Sequence, residues 1–186
     1  CGSCWSFSAT EAVESAWAIK TGDLFVLAEQ QLVSCDKTDS GCNGGLMDNA
    51  FEYIEKNGLV LESDYPYTAK DGSCQLNADP VVHISDHKDV KPNDELALKS
   101  AINMQPVSIA IQADQLAFRF YSGGVIKSAS CGTSLDHGVL LVGYGTDTSG
   151  SDPVDYWLVR NSWGASWGES GYVRLERTDK QDNAGT

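Results

Sequence analysis

A chain of 186 residues with 41% hydrophobic and 21% charged positions is long enough to bury a real core, as one large domain or two small lobes. Its 26 acidic against 13 basic residues give a formal charge of −13, scattered along the chain, and exclude nucleic acid and anionic membranes as partners because both select a positive surface. No stretch approaches the roughly 18 consecutive apolar residues of a membrane helix, and the first residues lack the basic-then-apolar layout of a signal peptide.

The first predicted element is a helix from Ser3 to Lys20. Apolar residues recur at Trp5, Ala9, Ala12, Val13, Ala16 and Trp17, and Thr21-Gly22-Asp23 stops it. Ser3 is the expected N-cap, which places Cys4 in the first turn. A short helix over Ala28–Val33 and another over Leu46–Lys56, ended by Asn57-Gly58, follow. Between them the glycine-rich run Asp39-Ser40-Gly41-Cys42-Asn43-Gly44-Gly45 leaves little room for regular structure.

The character changes after about residue 80. One amphipathic helix is predicted over Asp94–Asn103, and then strands over Val107–Ile111, His137–Tyr144, Tyr156–Arg160 and Tyr172–Leu175. Thr146–Asp155 is polar, holds Gly, Ser and Pro, and reads as an exposed loop between strands. A helical first half and a strand-rich second half predict an α+β arrangement of two lobes, residues 1–89 and 90–186.

Six cysteines, at 1, 4, 35, 42, 74 and 131, indicate disulfides and an oxidising compartment. Cys1 and Cys4 lie too close for both to be routine staples. In Cys1-Gly2-Ser3-Cys4-Trp5, a thiol in the first turn of a helix faces unpaired N–H groups and the positive end of the macrodipole, which favour the nucleophilic thiolate. The same residues fit a C-x-x-C dithiol, or half of a zinc site with Cys35 and Cys42. The dithiol wants a preceding strand, and the zinc site a second tight pair.

Three histidines are present. His83 and His87 lie near Asp86 and Asp89 in a polar stretch and read as solvated surface. His137 opens an apolar strand, Asp136-His137-Gly138-Val139-Leu140-Leu141-Val142-Gly143-Tyr144-Gly145, a rigid element from which to present an imidazole; alone, it reads as a packed strand-edge histidine. Asn161-Ser162-Trp163-Gly164 alone reads as a turn. In combination with Cys4, the asparagine carbonyl can hold the second ring nitrogen of His137 without adding charge, and Trp163 can shield that hydrogen bond from water.

Seven ordered blocks carry a resemblance across nearly the whole chain: Cys1 to Trp5, Glu29-Gln30-Gln31-Leu32-Val33 before Cys35, Gly41-Cys42-Asn43-Gly44-Gly45-Leu46-Met47, Asp64-Tyr65-Pro66-Tyr67, Gln105-Pro106-Val107, Asp136-His137-Gly138 and Asn161-Ser162-Trp163-Gly164. On these the chain resembles the papain-like cysteine proteases, nearest the cathepsin L-like branch. The partners in that family lie roughly 130–150 residues after the nucleophile. His137 falls within that interval and Asn161 slightly beyond it, with the excess accommodated by the Thr146–Asp155 loop.

The resemblance implies a two-lobe papain-like fold, with a helical lobe, an antiparallel β-barrel-like lobe and the active site in a cleft between them. It implies a cysteine endopeptidase in which Cys4, His137 and Asn161 are catalytic and Ser3, Trp5 and Trp163 support them. It assigns Gly2, Asn43, Gly44, Gly45, Leu46, Met47, Ala110, Asp136 and Gly138 to substrate binding. Leu46, Met47, Ala110 and Gly138 would line the pocket for the second residue before the cleaved bond, with a preference for an apolar or aromatic side chain. Disulfides Cys1–Cys42 and Cys35–Cys74 are implied, with Cys131 unpaired. By the same resemblance the chain is cut short at both ends, so that a glutamine oxyanion donor, the partner of Cys131 and the pocket floor fall outside it. Expected partners are protein and peptide substrates, a propeptide and cystatin-type inhibitors. The resemblance further implies a zymogen, a monomer and a lysosomal, vacuolar or secreted location, with no cofactor or metal.

Overall fold

The computed structural model describes residues 1–179, and the chain divides into two units, Cys1–Lys88 and a second from Asp89 onward. The first unit is built on α1 (Cys4–Thr21), α2 (Glu29–Cys35) and α3 (Met47–Asn57). The end of α1 is set by Gly22, whose φ of 86° only glycine adopts cheaply and whose N–H reaches the Ala18 carbonyl. Ser3 stands at the N-cap position, yet its side chain does not cap. Its hydroxyl pairs at 2.5 Å with the Tyr67 hydroxyl, and its carbonyl accepts from Ser6 and Phe7 instead. The first ten residues of α1 are buried on nearly every face, because α1 is packed against both α2 and α3. Trp5, Ala9, Val13, Leu27, Leu32, Ala50, Ile54, Leu59 and Val82 form the core of this unit.

Every residue of α2 is buried, although four of the seven are polar. Gln31 donates to the Gly58 carbonyl and accepts from the Val60 N–H, and Gln30 accepts from the Thr68 N–H while donating to the Lys70 carbonyl. These side-chain amides complete the hydrogen bonding of two irregular segments, which makes their burial tolerable. Glu29 is different. Burial pushes its carboxyl up to about 8, the charges of Glu62 and Glu14 push the same way, and a backbone N–H only partly opposes them. Glu62 in turn accepts from the Tyr67 N–H and Glu14 from the Leu27 N–H.

The second unit holds α4 (Glu95–Ile102), α5 (Leu116–Arg119) and a five-stranded sheet of β1 (Val107–Ile111), β2 (Val125–Ile126), β3 (His137–Asp147), β4 (Val154–Arg160) and β5 (Tyr172–Glu176) in the order β1-β3-β4-β5-β2. The pairings are antiparallel except that β2 adds a parallel pair beside β5. Asp94 caps α4 through the Ala97 N–H at 3.0 Å, and that bond holds its carboxyl below the usual range. Ile102, Phe118, Tyr121, Ile126, Val139, Leu141, Trp157, Val159 and Val173 form the core.

The segment expected as a ten-residue loop is shorter: β3 runs on to Asp147 and β4 begins at Val154. Its polar residues pair across the strands. Thr146 donates to Asp155 at 2.6 Å and Arg174 to Asp147 at 2.7 Å, so polarity there marks an exposed sheet face and not the end of the ladder. The short α5 and β2 were not expected, since four and two residues are too few to show periodicity.

The Glu29 carboxyl holds a proton in the folded chain that the unfolded chain releases near pH 4.5. Between that value and about 8 the folded state binds more protons, so stability from this group falls as pH rises. The midpoint of thermal unfolding should therefore drop across this window. Glu29→Gln, which cannot ionise, should flatten the drop; an unchanged slope would contradict the assignment.

Candidate active site

In the first unit Cys4 is the first residue of α1 and is half-buried. The position faces the positive end of an 18-residue helix, which favours an anion there. Disulfides join Cys1 to Cys42 and Cys35 to Cys74, and the Cys4 and Cys131 sulfurs stay outside both. With Cys1 and Cys35 so engaged, neither a Cys1/Cys4 dithiol nor a zinc set with Cys35 and Cys42 has its sulfurs.

Trp5 connects the nucleophile helix to the glycine-rich loop. Its side chain is 1% exposed, and the indole N–H donates to the Gly41 carbonyl at 3.1 Å. A Cβ on Gly45 would lie 2.6 Å from the Trp5 ring and one on Gly2 2.6 Å from the Cys42 carbonyl oxygen, so both positions admit only glycine without rearrangement. The Gly2 N–H donates to that same carbonyl at 2.7 Å. Gly41–Asn43 makes one 3-10 turn, Gly44 follows at φ 113°, and a Cβ there would meet open space. Asn43 is exposed, as is Leu46 at 62%, while Met47 begins α3 and packs on the core.

In the second unit His137 begins β3 and is 8% exposed. Its Nε2 lies 2.8 Å from the Asn161 Oδ1, at the end of the neighbouring β4. An amide oxygen accepts only, so Nε2 is the donor and carries the proton. The same oxygen accepts from the Ser162 N–H at 2.9 Å, and the Asn161 N–H donates to the Gly171 carbonyl, which together fix the amide. The Trp163 ring lies over the imidazole at 5.1 Å and 34°. Phe118 meets both rings edge-on, and Trp167 packs against Phe118 and Trp163. Neither Phe118 nor Trp167 is marked by the sequence: α5 is too short to show a period, and Trp167 lies outside any helix or strand.

Asp136 does not point its carboxylate at an open site. One oxygen accepts from the Ala113 N–H at 2.6 Å and the other from the Asp114 N–H at 3.2 Å, so it fixes the chain leaving β1 and hence the start of β3. Ala110 is exposed on β1 and pairs with the buried Gly138. It also lines a cavity of about 170 Å³ with Gln112, Phe118, Cys131 and Leu135. Cys131 donates weakly to the Lys127 carbonyl at 3.7 Å, and burial, with the Glu176 charge adding, pushes its thiol above the ordinary range. The helix-macrodipole advantage of Cys4 has no counterpart there.

The chain as a whole is similar to known proteins. The chain matches the papain family cysteine protease model over residues 1–185. It is 52% identical over 190 residues to thiol protease SEN102 of Hemerocallis, covering 100% of this chain and 52% of that protein. It is 55% identical over 182 residues to the oryzain beta chain of rice, covering 95% and 38%. Among solved structures, the ragweed pollen allergen Amb a 11 in its proform superposes with a TM-score of 0.92 at 44% identity, over 98% of this chain and 56% of that one. Bromelain from Ananas comosus in complex with the E64 inhibitor does so at 0.91 and 40%, over 100% and 84%. The chain spans 52% and 38% of the length of the two curated relatives, SEN102 and the oryzain beta chain. Its match to the family model over residues 1–185 makes the chain a member of the papain family of cysteine proteases.

Proposed function

We propose that this chain carries the catalytic site of a cysteine endopeptidase, with Cys4 as nucleophile, His137 as acid and base, and Asn161 as the residue that orients the imidazole. The observation that carries the reading is the buried His137–Asn161 hydrogen bond under Trp163. A histidine that moves protons needs one ring nitrogen held and the other available, and this bond holds Nε2 and leaves Nδ1 as the nitrogen that exchanges them.

The Cys4 thiolate attacks the scissile carbonyl carbon and forms a C–S bond, with the oxyanion developing beside the N-terminus of α1. The intermediate collapses as the C–N bond breaks, and the His137 imidazolium gives its Nδ1 proton to the leaving amine. Water then loses a proton to His137 and attacks the acyl carbon, and C–S cleavage returns the thiolate. The substrate main chain runs along Asn43-Gly44-Gly45, where the open space beside Gly44 permits close approach. Leu46 and Met47 offer apolar contact to the second residue before the cleaved bond, which favours an apolar or aromatic side chain there. Two disulfides suit an oxidising setting, so synthesis as a proform and a vacuolar, lysosomal or secreted location belong to the same proposal. Among the described residues no helix is long and apolar enough to cross a membrane.

Iodoacetamide at mildly acidic pH should alkylate Cys4 well ahead of Cys131, and His137→Ala should slow that reaction by about 10²-fold, the scale of lost thiolate activation. Equal rates at the two thiols, read by peptide mass mapping, would count against the assignment. Asn161→Ala should lower kcat/KM for a peptide substrate by about 10²-fold, mostly in kcat, because the imidazole loses its orientation while substrate contacts persist. An effect confined to KM would reassign Asn161 to binding.

A further inference from the structure

The segment that follows Tyr67 reads as an exposed strap, tied to α2 by the Cys35–Cys74 disulfide and by Gln30, which bonds both Thr68 and Lys70. One of its carboxylates leaves the strap. Asp71 Oδ1 accepts the Cys42 N–H at 2.7 Å. A Cβ built on Gly41 would run into that same oxygen, and Gly41 sits at φ 57° with the Val33 carbonyl oxygen 3.1 Å from the Cβ position. The oxygen therefore fills space that only a glycine leaves open, and the loop and carboxylate fit each other.

The consequence concerns orientation. The Cys42 side chain is held by Cys1, and its carbonyl accepts from the Gly2 N–H at 2.7 Å. The preceding Gly41–Cys42 peptide accepts at its carbonyl from the Trp5 indole N–H at 3.1 Å and donates at its N–H to Asp71, so the Asp71 bond completes the fixing of that plane just before Asn43. At the far end Asp39 accepts from the Leu46 N–H at 3.0 Å and from the Asn49 amide at 2.8 Å. Asn43-Gly44-Gly45 is thus suspended between two carboxylates, with the open space beside Gly44 facing out.

We propose that Asp71 is a positioning residue for substrate, a strut on the strap tied to α2 that sets the orientation of the Asn43–Gly45 main chain for pairing with an extended peptide. This rests on the reading that the loop binds peptide, and it deepens that reading by separating recognition from thiol chemistry. Asp71 touches neither substrate nor Cys4 in this scheme; it acts through Cys42.

Two probes of Cys4 test it on the intact chain: iodoacetamide, which makes no main-chain contacts, and an epoxysuccinyl dipeptide, whose peptide arm does. Asp71→Ala should slow the peptide probe by about 5–20-fold, the loss expected for one charge-assisted hydrogen bond, and leave iodoacetamide within about twofold. Asp71→Asn keeps an acceptor oxygen and should bring the peptide probe back to within about threefold of the unaltered chain. Equal slowing of both probes in Asp71→Ala, or no slowing of either, overturns the proposal. Failure of the underlying reading looks different: the unaltered chain would then react at Cys4 no faster than at Cys131 with either probe, and both ideas fall together.

Discussion

The burial of Trp5 is the constraint on which the first unit turns. The residue follows Cys4 directly, so packing its indole into the core fixes the rotation of α1 and thereby the direction of the thiol. The same side chain donates to Gly41 and presses on Gly45, so the helix that carries the nucleophile and the loop that is proposed to bind peptide share one wall. A side chain of this size buries 150–250 Å² in typical proteins, an apolar contribution of about 4–6 kcal/mol at 25 cal/mol per Å². Gly45 is the place where that wall leaves no room for a methyl group, while Gly2 is held to glycine by the Cys42 carbonyl.

The second unit solves a different problem. An imidazole must be oriented without being locked, and a neutral amide does this where a carboxylate would also stabilise the cation. The structure places the pair at the first residue of β3 and just past β4, two elements joined by an antiparallel ladder whose register shifts once, between Leu141 and Gly143. The aromatic layer of Phe118, Trp163 and Trp167 excludes water from one side, which strengthens a hydrogen bond that would be weak in solvent. Asp136 secures the approach to β3 from the other direction through two backbone N–H groups.

Much of this was legible in the sequence. The periodicity of α1 and its Gly22 stop, the five residues of β1, and the placement of Cys4 in a first helical turn and of His137 at the start of a strand are local signals that survive folding. Other features were not legible, for physical reasons. Ser3 has the chemistry of a cap, but a tertiary partner, Tyr67, takes its hydroxyl. The polar residues of Thr146–Asp155 pair across strands, which composition cannot distinguish from solvation. The sequence places Gln30 and Gln31 in a short helix but gives no sign that they are buried, since their backbone partners lie 27 to 40 residues away. Asp71 gives no sign at all, since its importance lies in a backbone N–H that only folding brings to it.

The proposal at the centre of this account is that His137 serves as the partner that holds Cys4 as a thiolate. Ultraviolet absorbance of the thiolate, followed across pH with and without His137, tests it most directly. The account predicts thiolate absorbance that persists below pH 6, vanishes in Cys4→Ser and moves towards the ordinary cysteine value of about 8.5 in His137→Ala. A thiolate signal that appears only near 8.5 in the unaltered chain would contradict it.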